Sequence, residues 1–246
     1  MDGVELACRY SFRPNILGLC GPQSDFTLFN YVIKKDRRPK ETKRLLKKFL
    51  GAFAYYQLIA QANKITDPFD YRVVEAYWIG NSLLKRVQAE EIKKMILNNF
   101  TGPGLLNNNI AKNLIKKLLP RCVPHHSFHV FYLGSVTGIV PKNLKTFNSC
   151  FISWGKVKEI KGDYLIVLRA NLKREKNKIV LGKPFLEKVL YKMDNKSFIK
   201  NLHLGDWVSI HWNWACQRLN KQALERLRYW TLYNLKVINR ANEPSR

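Results

Sequence analysis

The chain has 246 residues, 46% of them hydrophobic and 12% aromatic, so it carries enough apolar material for a packed core and is not the low-hydrophobicity, high-charge kind of sequence that stays disordered. Lys and Arg number 43 against 18 Asp and Glu, a net charge of +25 that falls evenly, +13 over residues 1–149 and +12 over 150–246. That evenness excludes a dedicated basic tail, and the abundance of Lys, Asn and Ile in runs such as LNNNIAKNLIKK ties part of the charge to composition; a nucleic-acid partner stays open.

No apolar run reaches the roughly 18–20 residues of a bilayer span, and MDGVELACRYSFRPN has no basic stretch followed by a long apolar one, so no membrane partner and a cytoplasmic location are expected. Five cysteines without a repeating spacing fit a reducing compartment with free thiols.

In chain order, residues 11–26, SFRPNILGLCGPQSDF, read as a turn-rich opening. Residues 26–119 read as helices. ETKRLLKKFLGAFAYYQLIAQANK sets Leu45, Phe49, Ala52, Tyr56 and Ile59 on one face, and Asp70 is placed to cap YRVVEAYWIGNSLLKRV. AEEIKKMILNNF runs to the breaker TGPG, and NNNIAKNLIKKLL stops at Pro120. A helical domain over 1–124 follows. Residues 125–149 form a junction strand and loop, and 150–246 a small β-barrel with a C-terminal helix, making the fold class α+β. The barrel is read from FISWGKVKEI, DYLIVLRANL, NKIVLG and DWVSIHWNW, and the last helix from Asn220 to Asn234, with Ala223, Leu227, Trp230 and Tyr233 inward.

Two groups of residues could carry chemistry. RCVPHHSFHVFYLGSVTG clusters Cys122, His125, His126 and His129, donors that suit zinc or iron. On the expected strand His125 and His129 share a face and His126 points the other way; no H-E-x-x-H pattern is present. The second group begins with Cys150, followed by Gly155, Lys156, Val157 and Gly162, and ends with Gly205, Asp206, Trp207, Val208, Ile210, His211 and Ala215.

This second pair of motifs, over residues 150–233, resembles the HypC family of [NiFe]-hydrogenase assembly chaperones. The resemblance implies an OB-like barrel and an iron fragment carrying cyanide and carbon monoxide, held transiently and passed to a protein client together with a second assembly factor. It further implies Cys150 as the thiolate and His211 as the imidazole beside it. A His211 imidazolium would lower the thiol pKa. The chain departs from the family in four ways: Cys150 is internal, Trp154 replaces a proline, Asn213-Trp214 replaces Gly-Phe, and KPFLEKVLYKMDNKSFIKN lengthens the barrel. SFRPNILGLCGPQSDF, HHSFH and SWGKV together look like an uncharacterised bacterial family associated with hydrogenase maturation loci.

The function expected is therefore that of an accessory protein more than a turnover enzyme. No nucleophile elbow, P-loop or Rossmann glycine pattern appears, and Gly18-Leu19-Cys20-Gly21 is too short to cradle phosphate. The alternative is an OB-like nucleic-acid-binding module stacking bases on Trp154, Trp207, Trp212 and Trp214, with Lys156 among the lysines on the backbone. A third reading makes the His125, His126 and His129 region part of a metalloenzyme site.

Overall fold

A computed structural model describes residues 1–24, 26–34, 38–101, 105–134 and 140–241. The architecture is mixed α+β: helices fill the first half, a five-stranded sheet the second, and a long helix closes the chain.

The opening differs from the turn-rich expectation. α1 (Gly3–Ile16) begins at the Asp2 cap, whose carboxylate accepts from the Glu5 N–H at 2.7 Å, and runs through Arg13 and Pro14. Leu6, Ala7, Cys8, Tyr10 and Phe12 are all fully buried. A helix buried on every side has no polar stripe and so no amphipathic period to betray it. Pro14 lacks the N–H that would bond the Tyr10 carbonyl one turn back, and that carbonyl accepts from His211 Nδ1 at 2.7 Å instead.

α2 (Thr27–Ile33) follows, and then the single helix expected over ETKR…ANK divides at Lys47–Phe49 into α3 (Pro39–Leu46) and α4 (Leu50–Ala62). α5 (Tyr71–Trp78) is capped by Asp70 as expected but stops early. Gly80, at φ +90, lies so close to Trp230 that a Cβ would sit 2.0 Å from its Cδ1, and a short 3₁₀ turn over Ser82–Arg86 replaces the rest. α6 (Ala89–Phe100) and α7 (Asn108–Lys117) match their patterns; residues 102–104 of the TGPG break lie outside the described residues.

The junction is helical, correcting the expected strand. α8 (His126–Phe128) runs into a π-helical turn, His129–Leu133, with the His125 side chain as its cap, accepting from the Ser127 N–H. The β-rich look of HSFHVFYL came from buried aromatic residues, which helices and strands use alike. Residues 135–139 of that stretch lie outside the described residues. Cys150 does not begin a strand either: it is the last residue of α9 (Leu144–Cys150), capped by Asn143.

β1 (Ser153–Lys161), β2 (Tyr164–Glu175) and β3 (Lys178–Leu190) form a meander with long arms. The expected insertion supplies the end of β3 and a small hairpin, β4 (Lys192–Met193) with β5 (Lys196–Ser197). β6 (Trp207–His211) pairs with β1, and β7 (Trp214–Leu219) pairs with β6 and meets β3 in parallel at Leu190, so the pairings run round in a closed ring. Val157, Leu165, Val167, Val189, Val208 and Ile210 fill its interior. Gly155 is needed there: a Cβ would lie 2.9 Å from the Val167 Cβ and 3.0 Å from the Ile210 Cδ1.

α10 (Lys221–Ala241) starts at the Asn220 cap and continues past the expected end at Asn234. Helical half and sheet share one buried core. α1 ties them directly: Arg9 donates to the carbonyls of Phe198 and Cys216, at 2.8 and 3.2 Å, and the Tyr10 hydroxyl pairs with Ser209 at 2.8 Å.

Candidate metal centre

Three chain segments deliver one donor each to a single point. α8 brings His126, the end of α9 brings Cys150, and the end of β6 brings His211; their ligand atoms all lie within 4.8 Å of one another. The Cys150 Sγ is 3.9 Å from the His126 Nε2, and the His126 and His211 ring centroids are 5.2 Å apart.

The convergence has local causes. Trp212 and Asn213, both at positive φ (49° and 57°), make the two-residue turn between β6 and β7, and the Trp212 N–H donates to the Ser149 carbonyl at 2.7 Å. That bond fastens the His211 end of β6 to the Cys150 end of α9. On the other side, Asn148 clamps α9 to β2 by exchanging two hydrogen bonds with the Leu172 backbone.

The imidazoles are oriented by second groups. The His211 Nδ1–H donates to the Tyr10 carbonyl at 2.7 Å, which leaves Nε2 as a bare lone pair; that atom is buried and has no hydrogen-bond partner. A histidine whose far nitrogen is held by a carbonyl and whose near nitrogen is free is set up as a ligand. His126 Nε2 bonds the Cys150 carbonyl at 2.9 Å, so it carries the proton, while Nδ1 accepts from the Tyr77 hydroxyl at 3.0 Å. To bind an ion at Nε2 it must exchange that proton for the metal.

Burial sets the charges. It pushes His211 and His129 down to about 4, His125 to about 3 and His126 well below its ordinary value, so the rings are neutral at pH 7. Burial pushes the Cys150 thiol up to about 12, the Cys20 thiol nearby adds to the rise, and Trp212 acts the other way. This corrects the expectation of an imidazolium-activated thiolate: His211 has no charge to lend, and the pair is a neutral thiol beside neutral rings. Neutral imidazoles are the ligand form, and an ion is what would deprotonate the thiol.

The donor set fits a soft or borderline ion. With bonds of about 2.0–2.1 Å to nitrogen, two imidazoles at a tetrahedral angle have centroids about 5 Å apart. The observed 5.2 Å agrees. Sulfur and nitrogen on one tetrahedral ion are separated by about 3.5 Å, so the 3.9 Å pair is near that distance, and the other pairs, all within 4.8 Å, would have to draw in around an ion. The three donors line a cavity of about 220 Å³, otherwise mostly apolar, with Phe49, Trp78 and Trp212 on its walls.

The chain matches, over residues 1–245, a family of unknown function (DUF6390). The chain belongs to DUF6390. No curated protein and no solved structure matches it.

Of the expected donors in this DUF6390 chain, Cys150 and His211 are brought together, and His126, expected to face away from its neighbours, completes the group. His129 lines the same cavity with a buried, unpartnered Nδ1. His125 does not; it caps α8. Cys122 is buried elsewhere, its thiol pushed up to about 12 by burial. The signal for His126 is its i, i+3 relation to His129, visible once HHSFH is read as helix.

The tryptophans do not assemble into a stacking platform. Trp214 is sealed in the core at 1% exposure, packed edge-on against Phe12 and Phe198. Trp207 and Trp154 are covered by the Arg228 guanidinium, 4.6 and 5.6 Å from their ring centroids, and Trp212 faces the cavity. Lys156 lies on β1, opposite Trp207.

Among the described residues no helix is long and apolar enough to cross a membrane.

Proposed function

We propose that the protein is an accessory factor in metalloprotein assembly that holds an iron fragment transiently at Cys150, His211 and His126 and yields it to a protein client or a second assembly factor. It works in the cytoplasm and is not a turnover enzyme. The observation that carries this reading is the meeting of one thiol and two neutral imidazoles, from three separate elements, on the wall of an apolar cavity.

Several features support it. A soft sulfur with borderline nitrogens suits low-spin iron. Three donors on one wall leave the cavity side of an ion open to a partner or further ligands. The ring of five strands backed by α10 supports taking the last third of the chain as an OB-like barrel of the HypC kind, with Cys150 and His211 at the family's two positions. The helical half would then be the docking module for the client.

The test is anaerobic titration with Fe(II) or Co(II), together with capture of the client, for the native protein and for Cys150→Ala. Native protein is expected to bind one ion; the variant is expected to lose both ion and client while its unfolding curve stays close to native. Equal metal content and equal client capture in the two proteins would refute the reading.

A further inference from the structure

We infer that Cys20 is a second thiolate ligand of the same site, so that the closed form of the centre has two sulfurs and two nitrogens. The inference rests on the metal-holding reading above and names the donor that completes it.

The Gly18–Gly21 loop is built to present a side chain. Both glycines have positive φ, at +68 and +72. Asn15, 1% exposed, holds the loop from beneath, its Nδ2 donating to the carbonyls of Cys20 at 3.0 Å and Pro22 at 2.8 Å, while Ser24 donates to its Oδ1. Gly21 has no room for a side chain, since a Cβ would meet the Phe49 ring at 2.5 Å. Cys20, between them in sequence, lines the cavity that also holds Cys150, His126 and His211.

The independent pointer to a ligand is His211. Its Nε2 is a buried lone pair without a hydrogen-bond partner, in a side chain 2% exposed, on that same cavity.

Charge decides why a second sulfur is needed. A divalent ion bound by the Cys150 thiolate and two neutral imidazoles keeps a net charge of +1. No Asp or Glu lines the cavity among the described residues, and Lys48 and Lys142 do line it. Burying an uncompensated cation in apolar surroundings is costly. The Tyr77 hydroxyl is already committed to His126, which leaves Cys20 as the acidic group able to neutralise the ion. A Cys₂His₂ set is also a closed tetrahedral shell for a soft divalent ion. Cys20 lies outside the 4.8 Å group, so on an anchored loop its side chain is the part that must turn toward the ion, converting an open three-donor site into a closed four-donor one.

The experiment loads the full-length protein anaerobically with Co(II) and measures X-ray absorption and the sulfur-to-cobalt charge-transfer band. Two sulfur scatterers are expected in the native protein and one in Cys20→Ser, with the band falling about twofold. Cys20→Ser keeps size and sits on a partly exposed loop, and the native sulfur count tests the idea even where the variant folds poorly. One sulfur with three nitrogens, or one sulfur with a light exogenous ligand, in native protein overturns the assignment of Cys20 and leaves the three-donor reading standing. No cobalt bound at all overturns both.

Discussion

The buried histidines are expected to make the metal-free protein acid-labile in a range where carboxylates contribute little. His125 is held at about 3 and His129 and His211 at about 4 because burial disfavours the charged ring, whereas an unfolded histidine titrates near ~6.5. Below ~6.5 the unfolded chain binds protons that the folded chain refuses, so these groups contribute stability that is fully present above that pH and is lost as pH falls toward 4. At pH 5 an unfolded ring is almost wholly charged and a folded ring still mostly neutral, a difference of about 2 kcal/mol per group. Three such groups amount to about 6 kcal/mol, and His126 is shifted in the same direction. That is a large share of the ~5–15 kcal/mol that holds a typical domain together. Urea unfolding of metal-free protein between pH 7.5 and 5 is the assay. The midpoint should fall steeply below about pH 6, with ring-proton NMR showing these rings still neutral in the folded state. An unchanged midpoint from pH 7 to pH 5, or ring resonances titrating near ~6.5, would refute the burial argument.

Other perturbations test the framework around the site. Gly155→Ala forces a methyl against Val167 and Ile210 at 2.9–3.0 Å and should cost about 1–3 kcal/mol in thermal or urea unfolding. Asn234→Ala removes a buried side chain, 0% exposed, that bonds both backbone groups of Val123 and the Ser127 hydroxyl; a loss of about 1–3 kcal/mol is expected, together with looser hold on α8 and weaker cobalt binding at His126. Arg228→Ala uncovers Trp207 and Trp154, so tryptophan fluorescence should shift while stability changes by about 1 kcal/mol or less and metal binding stays as in native protein. Cobalt affinity should rise about a hundredfold per pH unit from pH 6 to 8 if the Cys150 and Cys20 thiols both give up a proton to bind; a tenfold slope would mean that a single thiol does so.

Much of the frame was legible because local rules were obeyed. Asp70 caps α5, AEEIKKMILNNF is one helix, and DWVSIHWNW is extended, though it is not one strand: it divides at the Trp212-Asn213 turn into β6 and the start of β7. What escaped were elements whose cause is tertiary. α1 shows no period because the sheet and the other helices bury it all round, and the halt of α5 is dictated by Trp230, some 150 residues away. The site was half legible for the same reason. Cys150 and His211 stand in motifs, but the neutrality of the pair and the recruitment of His126 depend on burial and on α8 being a helix, neither of which HHSFH announces. Sequence also suggested a thiolate ready for use, where packing produces a protonated thiol that an ion must convert.

That conversion bears on how such a site could release what it holds. His126 gives up a hydrogen bond to the carbonyl of Cys150, its fellow ligand, in order to bind; the competing bond is regained whenever the ion departs. Cys150 likewise regains a proton that its surroundings strongly favour. His211 gives up least, since its Nδ1 bond to the Tyr10 carbonyl is kept when Nε2 binds. Of the three donors, one therefore favours the bound state and two carry a built-in return to the free state. A permanent structural metal would be served by ligands with no alternative partner; a site of this composition tempers its own affinity, as transfer to a client requires. His126→Gln removes the ligand together with its competing bond, so cobalt binding should weaken and exchange with a chelator should quicken about tenfold, as loss of one of the donors requires. A variant that binds and exchanges cobalt as native protein does would show that His126 is not among the ligands.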